Sequence, residues 1–209
     1  MSPDEVAALF TRSDGGYAFA RWGRPLAPVV FGVDDATLGV VKDAFSAIAD
    51  LSGAGLAETD PELGVNVMVF FLREWSELAA VRDLDRLIPD LGTLLARLQA
   101  AEANQYRIFR FDAAGAIRAC FAFVRLDAEM SAVPARTVAL AQAAQTILLW
   151  SDRAFTDRSP LAATAEGAIL LRPEIGRLIR AAYDPVLPPA ASDPSHALRL
   201  SARIGQGTS

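Results

Sequence analysis

The stretch GVNVMVFFL, residues 64–72, constrains this chain more than any other. A strand with one wet face alternates apolar and polar residues with a period of two. A run that is apolar at both parities is the pattern of a strand covered on both faces. The second strong signal is NQYRIFRFDAAGAIRACFAFVRLD, residues 104–127, in which two β-rich runs flank DAAG, a short turn ending in glycine. Phe109, Phe111, Phe121 and Phe123 are expected to supply apolar area to the sheet face.

Helical periodicity surrounds these strands. Leu38, Val41, Phe45, Ile48 and Leu51 recur at three- and four-residue steps, with Asp35 placed to cap the start and Gly53 the end. Further helices are predicted over residues 3–10, 74–81, 90–101, 134–150, 173–182 and 194–203. Tyr17, Phe19 and Arg21 alternate as in a strand, which Pro25 and Pro28 confine to an edge or interrupt. Residues 188–193 form a linker or surface loop. The order is not a regular strand–helix alternation. The expectation is one α+β domain over residues 1–209, a mixed, mostly antiparallel sheet packed with helices.

Composition excludes several functions. The net charge is −5, with arginines and carboxylates mixed along the chain. Nucleic-acid binding needs a basic stripe, so it is not expected. A single cysteine, Cys120, allows no intramolecular disulfide and fits a reducing compartment. MSPDEVAALF lacks the basic region and long apolar core of a signal peptide, and no run approaches the roughly 20 apolar residues of a membrane span. A cytoplasmic location is expected, and a homo-oligomer is compatible with the sequence.

The catalytic inventory is short. The one histidine, His196, is expected on a surface helix near the C-terminus, and Cys120 as a buried, inert thiol. There is no phosphate-binding glycine loop or dinucleotide fingerprint. ETDPEL, residues 58–63, is read as a solvated turn. Trp22, between Arg21 and Arg24, is expected to plug the sheet edge. No cofactor and no metal are expected. That leaves Gln142 and Gln145, which share one face of an otherwise apolar helix. The plainest account has both amides satisfied by neighbouring backbone.

Three blocks in order suggest another account: ARWGRPLAPVVFG (20–32), AQAAQTILLWSD (141–152) and LLRPEIGRLIRAAYDPVLPPAASDPSHAL (170–198). Together they resemble the proteobacterial domain of unknown function 2927 family. Its helix at the second block carries a His-Glu-x-x-Gln pattern similar to the zinc-binding helix of metallopeptidases. The resemblance implies a zincin-like fold. It places Ala141 at the histidine, Gln142 at the glutamate and Gln145 at the family's glutamine. Leu148 replaces a glycine, and Asp152 keeps an acidic turn. Alanine cannot bind a metal, and an amide cannot act as a general base. The resemblance therefore implies a non-enzymatic pseudoenzyme that acts in binding or as an adaptor. Gln142, Gln145, Asp152 and Tyr183 would be the remnant binding site for a protein or small-molecule partner. The rivals are a hydrolase using Asp152, Glu166 or Glu174, and a small-molecule binding module in a cleft beside Gln145, Asp152 and Tyr183.

Overall fold

A computed structural model describes residues 1–206, so the last three residues of the expected domain lie outside the described residues. The chain runs α1 (Pro3–Ala8), β1 (Phe19–Ala20), β2 (Pro28–Phe31), α2 (Asp35–Ser52) and β3 (Val67–Leu72). A 3₁₀ helix (Trp75–Ala80), α3 (Leu84–Leu87) and α4 (Leu91–Ala100) lead to the hairpin β4 (Gln105–Phe111) and β5 (Ile117–Arg125). Then come α5 (Ala128–Ser131), α6 (Ala135–Thr146), β6 (Leu161–Ala163), β7 (Ile169–Leu171), α7 (Pro173–Ala182), β8 (Ala190–Ala191) and α8 (His196–Gln206).

The main sheet has the order β2-β3-β5-β4. Its first two pairings are parallel and β4–β5 is antiparallel. Two antiparallel ribbons, β1–β8 and β6–β7, complete an α+β architecture with antiparallel pairings in the majority. β2 is an edge strand with Pro28 as its first residue, where a missing N–H is tolerated. Gly32 ends it at φ +81°, against the Phe71 backbone, where a Cβ would overlap the carbonyl.

Both faces of β3 are covered, as its unbroken apolar run predicts. Val67, Val69 and Phe71 join Cys120, Ala122 and Val124 against Phe45, Ile48, Ile147 and Leu178 on one side. Phe70, Leu72, Phe121 and Phe123 pack on the other side against Trp75, Leu78, Leu84 and Leu95. The four hairpin phenylalanines therefore do not share a face. Phe109 packs on the first core, Phe121 and Phe123 are in the second, and Phe111 is 44% exposed. Pairing parity causes the split, since Phe109 pairs Cys120 whereas Phe121 pairs Ile108 and Phe123 pairs Tyr106; beyond them Phe111 pairs Ile117 while Arg110 pairs Ala119, so Arg118 is the extra residue of a bulge.

Other expectations need correction. Asp34 rather than Asp35 caps α2, its side chain accepting from the Thr37 amide, while Gly53 closes the helix in the left-handed conformation as expected. Residues 188–193 contain β8, paired with β1. The turn at 58–63 is anchored by a buried residue: Asp60 accepts from Arg24, from the Asn66 amide and from the backbone of Glu62 and Leu63. Burial pushes its carboxyl up, but these donors outweigh it and hold the pKa far below the usual range.

The helix predicted over 134–150 stops at Thr146. A helix leaves its last carbonyls without intrahelical partners. Here aromatic side chains supply them. The Trp150 indole donates to the Ala144 carbonyl (3.0 Å), the Trp22 indole to Thr146 (2.9 Å) and the Tyr183 hydroxyl to Ile147 (2.9 Å). The next residues pair elsewhere, with Leu148 bridging Arg21 and the Leu149 amide donating to Ala20. Trp22 is thus buried and is both a core residue and a helix cap.

Candidate functional site

Helix α6 and the edge strand β4 of the main sheet border a groove of about 1060 Å³. Its walls include β4 from Gln105 to Phe111, the Thr137, Ala141, Gln142 and Gln145 positions of α6, the Arg12–Asp14 turn, and residues following Trp150. Strand alternation places Gln105, Arg107 and Phe109 on one face of β4, towards α6. Helical spacing turns Gln142 and Gln145 to the same side.

At the floor the two elements meet through side chains. Arg107 NH2 donates to Gln142 Oε1 (2.5 Å) and to Gln105 Oε1 (3.0 Å), and Gln142 Nε2 donates to Gln105 Oε1 (3.2 Å). Gln142 is 2% exposed. Its amide is therefore satisfied by side chains across the groove and not by neighbouring backbone. Gln145 is half-buried on the groove wall. The Arg107 Nε is buried and has no hydrogen-bond partner among the described residues. Burial pushes the guanidinium down to about 10, which leaves it charged at neutral pH.

The rim is tied to the N-terminal turn. Asp152 accepts from the Ser13 amide (2.9 Å) and from the Ser13 hydroxyl, and these bonds hold its carboxyl below the usual range. Trp150 stacks on Phe10 (5.4 Å between centroids) and meets Phe155 edge-on (4.9 Å). Phe155 adopts φ +66°, a strained backbone for a residue with a Cβ.

Gln142, Gln145 and Asp152 thus line one groove. Tyr183 lies outside its lining, with its hydroxyl spent on the Ile147 carbonyl and the Trp22 amide. The three carboxylates of the hydrolase alternative are dispersed. Asp152 is in this groove, Glu166 is exposed on the β6–β7 turn, and Glu174 pairs Arg158 (3.0 Å) beside a separate cavity of about 460 Å³. His196 is buried rather than on a surface, packed on Phe19 (4.4 Å between centroids). Neither of its nitrogens has a partner among the described residues, and burial and then Arg199 push its pKa down.

The donor set does not fit a zinc ion of the kind held by the metallopeptidase helix that the family's pattern resembles. Ala141 offers a methyl, Gln142 spends its carbonyl on Arg107, and His196 is packed on Phe19 of β1. Among the described residues no three His, Cys, Asp or Glu side chains gather. No helix there is long and apolar enough to cross a membrane. Cys120 is buried, and burial raises its thiol to about 12.

Arg107 and Gln105 were not singled out from the sequence. The signal was present: in QYRIFRF, Arg107 shares strand parity with Phe109, which packs on the core, and its nearest sequence neighbours include no acid. No family model matches this chain, and no curated protein or solved structure is significantly similar to it.

Proposed function

We propose that this chain is a non-enzymatic, zincin-like binding domain that receives an extended polypeptide segment in the groove between β4 and α6. The observation that carries the proposal is the free edge of β4. In an antiparallel pair, main-chain groups point alternately towards and away from the partner strand. The Arg125 amide donates to the Asn104 carbonyl, so Tyr106, Ile108 and Arg110 face β5 by the same alternation. Gln105, Arg107 and Phe109 then turn their amides and carbonyls outward. Among the described residues none of these has a loop or cap partner. Such an edge is a template for strand addition, in which main-chain bonds supply affinity and side-chain contacts supply selectivity.

The zincin-like part rests on the resemblance, and its support here is positional. The helix bearing positions 141, 142 and 145 borders the groove, and the chemistry at 141 and 142 suits binding better than hydrolysis. The test starts from selection of displayed random heptapeptides, matched to the 7 residues of β4. A selected peptide should protect the amides of Gln105, Arg107 and Phe109 from hydrogen exchange. N-methylation at alternate peptide positions should abolish its binding. Peptides that bind without protecting β4 would place the recognition surface elsewhere.

A further inference from the structure

Arg107 is an arginine without a counter-ion. None of the ion pairs of the described residues includes it. Its acceptors are two neutral amide oxygens, Gln105 Oε1 and Gln142 Oε1, both on NH2. Nε is buried and unpartnered, and NH1 has no acceptor among the described residues. A guanidinium has five donors in a planar fork suited to a carboxylate. Desolvating such a charge beside neutral dipoles alone is costly. The two glutamines hold the fork in place through a bonded triangle and cannot neutralise it. The other charges on the walls are Arg12, Asp14 and Asp152, and Asp152 is already occupied by Ser13.

We infer that Arg107 makes the groove selective for an extended segment carrying an aspartate or glutamate opposite it, a selectivity that rests on the strand-addition reading above. Gln105 and Gln142 are positioning residues that keep the guanidinium facing the groove. The ligand carboxylate would accept from NH1, since Nε is closed off inside the fold, while its main chain pairs with the outward groups of β4.

The experiment uses the full chain and the same displayed heptapeptide library. Selected peptides should carry Asp or Glu at one shared position. Exchanging that residue for its amide should weaken binding at least about tenfold, the scale of one charge-assisted hydrogen bond. In Gln142→Glu, a carboxylate of nearly the same shape stands beside Arg107 and competes from within. That variant should lose the acid-over-amide preference, and Arg107→Lys should reduce it. Free glutarate at millimolar concentration should not displace the peptide.

Selected peptides that protect β4 but show no acidic preference overturn this inference and leave the strand-addition reading standing. An acidic preference that survives Gln142→Glu overturns the role of Arg107. Displacement by glutarate identifies a free organic acid as the occupant and overturns the peptide assignment. Failure of every peptide to protect β4 overturns the groove reading and this inference together.

Discussion

Replacing Tyr183, the residue after α7, with phenylalanine removes the hydroxyl that caps the end of α6. The hydroxyl donates to the Ile147 carbonyl at 2.9 Å and accepts from the Trp22 amide at 3.3 Å. Ile147 and Trp22 are both buried, so water does not simply take its place. Phenylalanine keeps the ring, and with it the contact under the Arg21 guanidinium at 5.4 Å. Only the two hydrogen bonds are lost. A net intramolecular hydrogen bond contributes about 1 kcal/mol, and a buried group left without a partner costs about 1–3 kcal/mol. The shorter bond dominates, so the expected destabilisation is about 2 kcal/mol. For a chain of this size each kcal/mol moves Tm by about 2–4 °C, giving a fall of about 4–8 °C. In urea, with a slope of about 2–3 kcal/mol/M, the midpoint should drop by about 0.7–1 M with the slope unchanged. Tyr17→Phe is the control. The Tyr17 hydroxyl is buried with no hydrogen-bond partner among the described residues, so its removal should leave stability unchanged or raise it. Equal midpoints for Tyr183→Phe and the parent chain, or equal losses for both tyrosine variants, would show that the aromatic cap on α6 contributes nothing.

Three further outcomes follow from the packing and the site. Phe121→Ala should cost about 3–5 kcal/mol in chemical denaturation, because the ring is 4% exposed, whereas Phe111→Ala, at a residue 44% exposed, should cost less than about 1 kcal/mol; similar losses would contradict the exposure of Phe111. Asp60→Asn should destabilise the fold at pH 7. The folded-state pKa of Asp60 is lowered, so its contribution is present above the unfolded value of about 3.9 and is lost as pH falls towards the folded one. The stability gap between variant and parent should therefore narrow below about pH 4, and a gap independent of pH would refute the account in which the backbone of Leu63 and Glu62, Asn66 and Arg24 stabilise the ionised carboxylate. Elemental analysis after gentle purification should find no stoichiometric zinc, and about one equivalent, lost on mutating Gln145 or Asp152, would restore a metalloenzyme reading.

Much of the fold was determined locally. The three- and four-residue steps from Leu38 to Leu51 specify α2, and Gly53 takes the left-handed turn that ends it. The two apolar parities of β3 require cover on both faces, and the two β-rich runs around DAAG specify β4 and β5. These signals survive because periodicity and turn chemistry act over a few residues, whatever lies elsewhere in the chain. Long-range contacts decided the rest. Thr146 ends α6 because the Trp22 and Tyr183 side chains, both distant in sequence, reach its last carbonyls. Residues 190–191 become a strand only because β1 lies beside them. His196 is buried because Phe19 lies against it. The groove arises the same way: Gln142 was legible as a polar residue on an apolar helix, but Arg107, 35 residues away, reaches it only once β4 takes the sheet edge beside α6. A pattern within a segment states which face must be covered. Which side chain covers it depends on strand order and register, and those are set by the packing of the whole chain.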